Sequence, residues 1–347
     1  MYNTRQQTIF EYIKKQKTVT RNKIQSYISE IFPIKNSKVT LLRDLNLLIN
    51  DRKITKSGKT KNVAYSYSIS SSLDDVDVES YFETDPDKRI LKSEYFNFDV
   101  WNNIKHLFTD KELNDLIEIN ENFRKNKKML SATAFKKELE RLTIEFSWKS
   151  SKIEGNTYSL IDTERLIKEH IEAKGKKKEE AVMILNHKKA LDFIYEKPEY
   201  FKKLNLAKIE DIHRMLITGL DVSFGLRKSR VGITGTNYHP LDNIHQIKDS
   251  MESLIGVINK TKNPLEKALI AVLMISYIQP FDDGNKRTAR ILGNALLLAY
   301  DYCPLSYRSI DETEYKKAVI LFYEQNSIFY FKKLFIEQFY QAIKKYF

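Results

Sequence analysis

Gln279-Pro280-Phe281-Asp282-Asp283-Gly284-Asn285-Lys286-Arg287-Thr288-Ala289-Arg290 separates two apolar segments, Ala268 to Ile278 and Ile291 to Tyr300, and its reading decides the fold. The upstream run is too short to span a bilayer and long enough for a buried helix. Pro280 stops it, and Gly284 permits a tight or left-handed backbone before the second helical pattern begins. The loop therefore ends at a helix N-terminus, whose first N–H groups lack intrahelical partners and attract anions. Arg287 and Arg290 stand three apart, so they share a face on which two guanidinium groups can clamp successive phosphates. Asp283 is an oxygen ligand of the kind that holds Mg²⁺ beside a phosphate. The plainer alternative is a helix start with a solvated Asp-Arg cluster.

The same residues resemble the signature of the Fic family, His-Pro-Phe-x-Asp/Glu-Gly-Asn-x-Arg-x-x-Arg, at every specified position except the first. The resemblance implies a mainly α fold, with a Fic-type helical core that binds ATP with Mg²⁺ and transfers AMP to a hydroxyl of a target protein or of itself. By the same resemblance Asp283 holds the metal, and the Gly284, Asn285 and Lys286 backbone cradles the α and β phosphates. Arg287 then contacts the β phosphate and Arg290 the γ phosphate. Gln279 occupies the place of the family's catalytic histidine, and a neutral amide cannot take a proton from the attacking hydroxyl. Loss of a general base lowers a rate by about 10²- to 10⁴-fold while leaving phosphate and metal contacts in place. Three explanations stand: an introduced substitution, a natural pseudoenzyme, or a base supplied from elsewhere, for which His239 is nearest in kind.

Upstream, Ser150-Ser151-Lys152-Ile153-Glu154-Gly155-Asn156 is similar to the family's autoinhibitory pattern, Ser/Thr-x-x-x-Glu-Gly/Asn. The similarity assigns Ser150, Glu154 and Gly155 to an inhibitory segment in which Glu154 pairs with Arg290 and blocks the γ-phosphate position. On spacing alone, the motif is a capping serine with an exposed glutamate. A third segment, Gly225 to Pro240, has the glycines and alternating β-formers of a hairpin. It resembles the family's flap, where Gly232, Ile233, Thr234 and Gly235 would present an exposed strand edge to the target backbone; a purely structural hairpin is the alternative.

The six histidines show no pair at metal-ligand spacing, and His213 reads as a packed, hydrogen-bonded residue. A single cysteine, Cys303, excludes a disulfide framework and a cysteine zinc site. The aromatic residues of Glu312 to Phe347 read as core on two helices.

The first seventy residues differ in character. Apolar spacing predicts helices over Arg5 to Lys17, from a Thr20 cap to about Ile31, and over Lys38 to Asn50, with Val39, Leu41, Leu42, Leu45 and Leu48 on its apolar side. Lys53 to Ile69 alternates around Ser57-Gly58 and reads as a two-stranded wing. This order is that of a small winged helix (α+β) domain, and Ser37 to Leu45 is similar to the recognition helices of bacterial winged-helix regulators. Lys38, Thr40, Arg43, Lys59 and Lys61 are the expected DNA contacts. Fourteen Lys and Arg face four Asp and Glu before Ser71, so this segment holds most of the chain's net charge of +12. Such concentration is the footprint of phosphate-backbone binding, although a protein-docking module would share it.

Seven acidic residues and no basic one lie between Ser71 and Asp87, which reads as a linker. The expected organisation is thus 1–70 winged helix, 71–87 linker, 88–203 helical region with the inhibitory motif, and 204–347 Fic core. No segment reaches membrane-spanning length, so a soluble cytoplasmic protein is expected, and a homodimer is compatible with either domain. Two functions remain open: an autoinhibited AMP transferase impaired at Gln279, and a nucleotide-responsive DNA-binding regulator with a degenerate Fic domain.

Overall fold

Leu41, Leu45 and Leu48 form one stripe of a helix, and with Ile9, Ile13, Ile24, Ile28 and Tyr65 they make the buried core of the N-terminal part of the chain. The computed structural model describes residues 2–16, 18–32, 37–50, 53–58, 63–67 and 76–347. These fall into two units, 1–81 with 108–113, and 82–107 with 114–347.

In the first unit the order is α1 (Thr4–Gln16), β1 (Thr18–Thr20), α2 (Arg21–Ile31), α3 (Lys38–Asn50), β2 (Ile54–Ser57) and β3 (Ala64–Tyr67). The strands form an antiparallel sheet in the order β1-β3-β2, with Thr18 opposite Ser66 and Ile54 opposite Tyr67. The strand β1 is not visible to periodicity, because three residues are too few to show alternation. Asp44 is fully buried and accepts from Arg5 Nε at 2.8 Å and Gln6 Nε2 at 3.0 Å, which ties α3 to α1.

Two local expectations are corrected here. Thr20 precedes α2 without a side-chain cap hydrogen bond. Val39 is 77% exposed, because it lies two residues before Leu41 and so points about 160° away from the buried stripe. Ser37 does begin α3, its Oγ accepting from the Thr40 amide at 3.2 Å. Lys38 and Arg43 are exposed along α3, Thr40 is half-buried with its hydroxyl 2.8 Å from that of Ser37, and Lys59 and Lys61 lie outside the described residues.

The expected linker 71–87 carries, in its described part, α4 (Val78–Glu83) and the start of a 3₁₀ turn, Pro86–Lys88. There follow α5 (Val100–Asn103), α6 (Asp110–Met129), α7 (Ala132–Ile153), α8 (Leu160–Glu169), α9 (Lys178–Glu196), α10 (Leu206–Ile217), α11 (Ile244–Lys260), α12 (Pro264–Ile278), α13 (Asn285–Leu298), α14 (Glu312–Gln325) and α15 (Phe329–Tyr346). Of these, α5 is a single turn. The helix α8 stops at Glu169, where His170 turns left-handed at φ 58°.

Every residue of α12 from Leu265 to Ile278 is buried, and α13 packs back along it. A Cβ on Gly293 would stand 2.8 Å from Val272 Cγ2, so the close approach of the two helices depends on that glycine. Tyr315, Phe322, Tyr323, Phe331, Phe335 and Phe339 are buried in α14 and α15, as the aromatic tail predicts. Among the described residues no helix is long and apolar enough to cross a membrane. No strand forms between Gly225 and Pro240, so the expected hairpin is absent there, and the segment's one β contact is an isolated bridge from His239 to Tyr95.

Candidate functional site

The helix α12 ends because Gln279 adopts a left-handed conformation, φ 50° and ψ 60°, while its amide still donates to Ile275 O at 3.0 Å. Its side chain turns back, with Nε2 donating to Ser276 O at 2.6 Å and lying 3.4 Å from the Tyr323 hydroxyl. Asn285 closes the loop: its Oδ1 accepts from the Phe281 amide at 2.9 Å and its Nδ2 donates to Phe281 O at 2.8 Å. His213 of α10 stacks on Phe281 at 3.7 Å between centroids, and its Nε2 lies 3.0 Å from Asp283 O. A carbonyl only accepts, so the proton sits on Nε2. Burial lowers the His213 pKa to about 4 against the opposing pull of that hydrogen bond, and the ring is a neutral pin under the loop. Gly284 follows at φ 80° as the residue before α13.

This turn sets the charges in place. Asp283 Oδ2 accepts from Arg287 Nη2 at 2.7 Å; Asp283 faces solvent, while Arg287 is buried and its Nη1 has no partner. Arg290 is wholly buried and held on three sides. Nη2 donates to Glu154 Oε1 at 2.8 Å and to Ser150 O at 3.0 Å, Nε donates to Ser150 Oγ at 2.9 Å, and Nη1 reaches the Tyr315 hydroxyl at 3.3 Å. Lys286 Nζ stands 3.2 Å from the other Glu154 oxygen.

Burial works against the Glu154 carboxylate, and the charges of Arg290 and Lys286 override it, holding its pKa down at about 2. Burial likewise disfavours the charged form of Arg290, and Tyr315 and Glu154 reverse that, raising its pKa above the usual arginine value. Glu154 caps the end of α7, and Gly155 beyond it has φ 95°, where a side chain would be strained.

Glu154, Asp283, Lys286 and Arg287 border a cavity of about 400 Å³, large enough for a nucleotide, whereas Arg290 lies wholly buried behind Glu154 and is not among its lining residues. Glu154, the Gln279 to Arg287 loop, Gly232 to Thr234, and Tyr315 with Tyr323 of α14 line it. The expected phosphate-cradle residues Gly284, Asn285 and Lys286 all face it, at the helix start whose first amides lack intrahelical acceptors. The Asn285 side chain, however, is spent on the loop itself. No group of three or more His, Cys, Asp or Glu side chains suited to a metal occurs among the described residues. Asp283 fits Mg²⁺ in the other common manner, as one carboxylate completing a shell of phosphate oxygens and water.

Gly232, Ile233 and Thr234 reach the cavity, whereas Gly235 turns away at φ 86°, its carbonyl accepting from Arg89 Nη2 at 3.1 Å. His239 is not among the cavity residues; it is exposed and bonded through its amide to Glu94 O at 2.6 Å, which removes it as a neighbouring base.

Arg227, absent from the sequence-based assignment, is fully buried and bonded only to carbonyls: Nε to Gln279 O at 2.6 Å, Nη1 to Ser229 O at 2.7 Å, and Nη2 to Leu241 O. Its own amide donates to Pro280 O at 2.9 Å. It fastens the Gly225 to Leu241 segment to the head of the loop, and this diversion of main-chain acceptors accompanies the missing hairpin. Tyr315 and Tyr323, which read as core in the sequence, are buried, yet they line the cavity.

Comparison with known proteins agrees with the geometry. A model of the Fic/DOC family matches residues 203–297. Among curated relatives, Protein adenylyltransferase Fic of Nematostella vectensis is 26% identical over 222 residues, 59% of this chain and 49% of that protein. Protein adenylyltransferase fic-1 of Caenorhabditis elegans is 27% identical over 179 residues, 50% of this chain and 35% of that protein. The chain thus matches about half or less of the length of these relatives. Among solved structures, Fic-1 from C. elegans aligns with a TM-score of 0.58 at 15% identity, covering 99% of this chain and 98% of that one. A Fic domain containing signaling protein from Bacteroides thetaiotaomicron gives 0.56 at 19% identity, covering 66% and 94%. The structural likenesses establish a Fic-like fold, and through residues 203–297 the chain is similar to the Fic/DOC family.

Proposed function

We propose that this chain, which resembles the Fic/DOC family through residues 203–297, is a Fic-type protein adenylyltransferase by descent, held closed by Glu154 and impaired by Gln279. The observation that carries this reading is that Glu154, at the edge of the cavity, bridges Lys286 and the buried Arg290 behind it. Arg290 is the cation that the family resemblance gives to the γ phosphate, so a terminal phosphate and the Glu154 carboxylate compete for it. The first-turn amides of α13 and Arg287 are left to receive the inner phosphates. Mg²⁺, held by Asp283 and phosphate oxygens, would neutralise charge on the departing pyrophosphate.

Gln279 stands where a base would take the proton of the attacking hydroxyl. Its Nε2 is committed to Ser276 O, and its amide accepts no proton near neutral pH. The nearby Tyr323 phenol is pushed well above its usual pKa by burial and offers no substitute. Incubation with labelled ATP and Mg²⁺ tests the assignment. Label should transfer to protein only with Gln279→His, and most with Gln279→His combined with Glu154→Gly. Strong labelling by the unaltered chain would overturn the claim that the base is missing.

A second reading has its own observation. The exposed Lys38 and Arg43 of α3 lie in the segment carrying most of the net positive charge, beside a three-stranded sheet, an arrangement that suits a winged-helix DNA reader. In it, the nucleotide is a signal rather than a reactant. The full chain should then bind duplex DNA with an affinity that falls steeply with salt, and no binding at low salt would remove this role.

A further inference from the structure

Behind Arg290 lies a side chain that neither the phosphate loop nor the Glu154 segment contains. His187 of α9 is fully buried, outside the matched residues 203–297. Its Nδ1 lies 2.8 Å from Met183 O and 3.3 Å from Ser151 Oγ, and its Nε2 lies 2.9 Å from Ser150 Oγ. The directions of these bonds follow from their partners. Met183 O can only accept, so Nδ1 carries the proton and Nε2 of the neutral ring is an acceptor. Ser150 must then donate its hydroxyl hydrogen to Nε2, which leaves its oxygen lone pairs toward Arg290 Nε at 2.9 Å. The chain of donors runs one way, from Arg290 to Ser150 to His187 to Met183.

We infer that His187 is a positioning residue for the triphosphate site, which through Ser150 fixes the Arg290 guanidinium in the orientation that receives either Glu154 or a terminal phosphate. A serine hydroxyl alone rotates freely; one anchored to an imidazole presents its lone pairs in a single direction. The neutral state suits this task, because burial, with the charges of Arg287 and Arg290, lowers the His187 pKa to about 3. A protonated ring would turn Nε2 into a donor and take from Ser150 the acceptor of its hydrogen. Since Ser150 O and Tyr315 also hold Arg290, departure of Glu154 leaves the arginine in place. The pocket is then pre-organised before a phosphate arrives.

The inference rests on the triphosphate-binding reading, and the test separates the two. In a Glu154→Gly background, calorimetry compares ATP with ADP, which lacks the phosphate that Arg290 meets. Adding His187→Phe, which fills the ring's space without an acceptor, should weaken ATP about tenfold and change ADP by less than about twofold. Ser150→Ala should do the same, and the combination should be no weaker than either alone, because both break one relay. Equal losses for ATP and ADP, or losses that add, would overturn the positioning role. Glu154→Gly protein that binds neither nucleotide would sink the triphosphate reading instead. The relay is then judged by NMR of the Arg290 Nε–H: slow exchange in the unaltered chain and fast exchange in His187→Phe support it, and unchanged exchange rejects it.

Discussion

Asp283 and Arg287 are bonded to each other at 2.7 Å, so the residue suited to a metal and a residue suited to a phosphate hold one another. The pairing makes ligand entry an exchange of partners: phosphate takes Arg287 as Mg²⁺ takes Asp283. Asp283→Asn should therefore weaken nucleotide binding in Mg²⁺ while leaving or improving it in EDTA. Titration calorimetry in both buffers checks this. A Mg²⁺ dependence identical to that of the unaltered chain would mean that Asp283 is no metal ligand.

Glu154→Gln removes the charge that competes for Arg290. ATP affinity should rise about tenfold, the scale of one charge-assisted hydrogen bond, and ADP affinity much less. The same change leaves a wholly buried guanidinium without its counter-charge, which costs about 3 kcal/mol. Thermal unfolding without nucleotide should thus show a lower Tm, restored by ATP.

Gly293→Ala should destabilise the chain by about 1–3 kcal/mol, since the added methyl meets the β-branched Val272 at 2.8 Å. Val272→Ala in the same molecule should recover part of the loss. Denaturant midpoints of the two variants decide the matter, and an unshifted midpoint for Gly293→Ala would show that the helices separate freely.

Two buried histidines give a pH dependence whose sign is fixed. Both have folded pKa values below the ordinary one near 6.5, about 3 for His187 and about 4 for His213. The unfolded chain takes up protons that the folded chain refuses, so stability is full above pH 6.5 and falls as the pH drops toward those values. Each histidine contributes a slope approaching about 1.4 kcal/mol per pH unit. Between pH 6.5 and 5.5, before the Glu154 contribution begins to fade, His187→Phe should flatten the decline measured by urea unfolding.

What could be read from the sequence was what lies close together along it. The turn at Gly284 and the buried run of α12 follow from local spacing and are present; Arg287 and Arg290 do lie on one helix, but only Arg287 borders the cavity. Glu154 and Arg290 are 136 positions apart, and only the resemblance joined them. Nothing local marks Arg227 or His187, because each acts through carbonyls or hydroxyls brought by distant segments. Tyr315 and Tyr323 fit an apolar stripe, and burial is correct for both, but a stripe does not reveal which member borders a cavity. Val39 was misplaced because a leucine-rich run invites too wide an apolar face. The β-formers between Gly225 and Pro240 suggested paired strands, whereas here Arg227 claims Ser229 O and Leu241 O on either side.

Arg227 also bears on how this architecture can change. It grips position 279 through main-chain oxygen alone, at Gln279 O and Pro280 O, and it makes no demand on the side chain between them. A substitution at 279 would therefore give up the side-chain bonds to Ser276 O and Tyr323 and keep those that Arg227 makes to the head of the loop, so that chemistry at this position is separable from the fastening of the segment beside it.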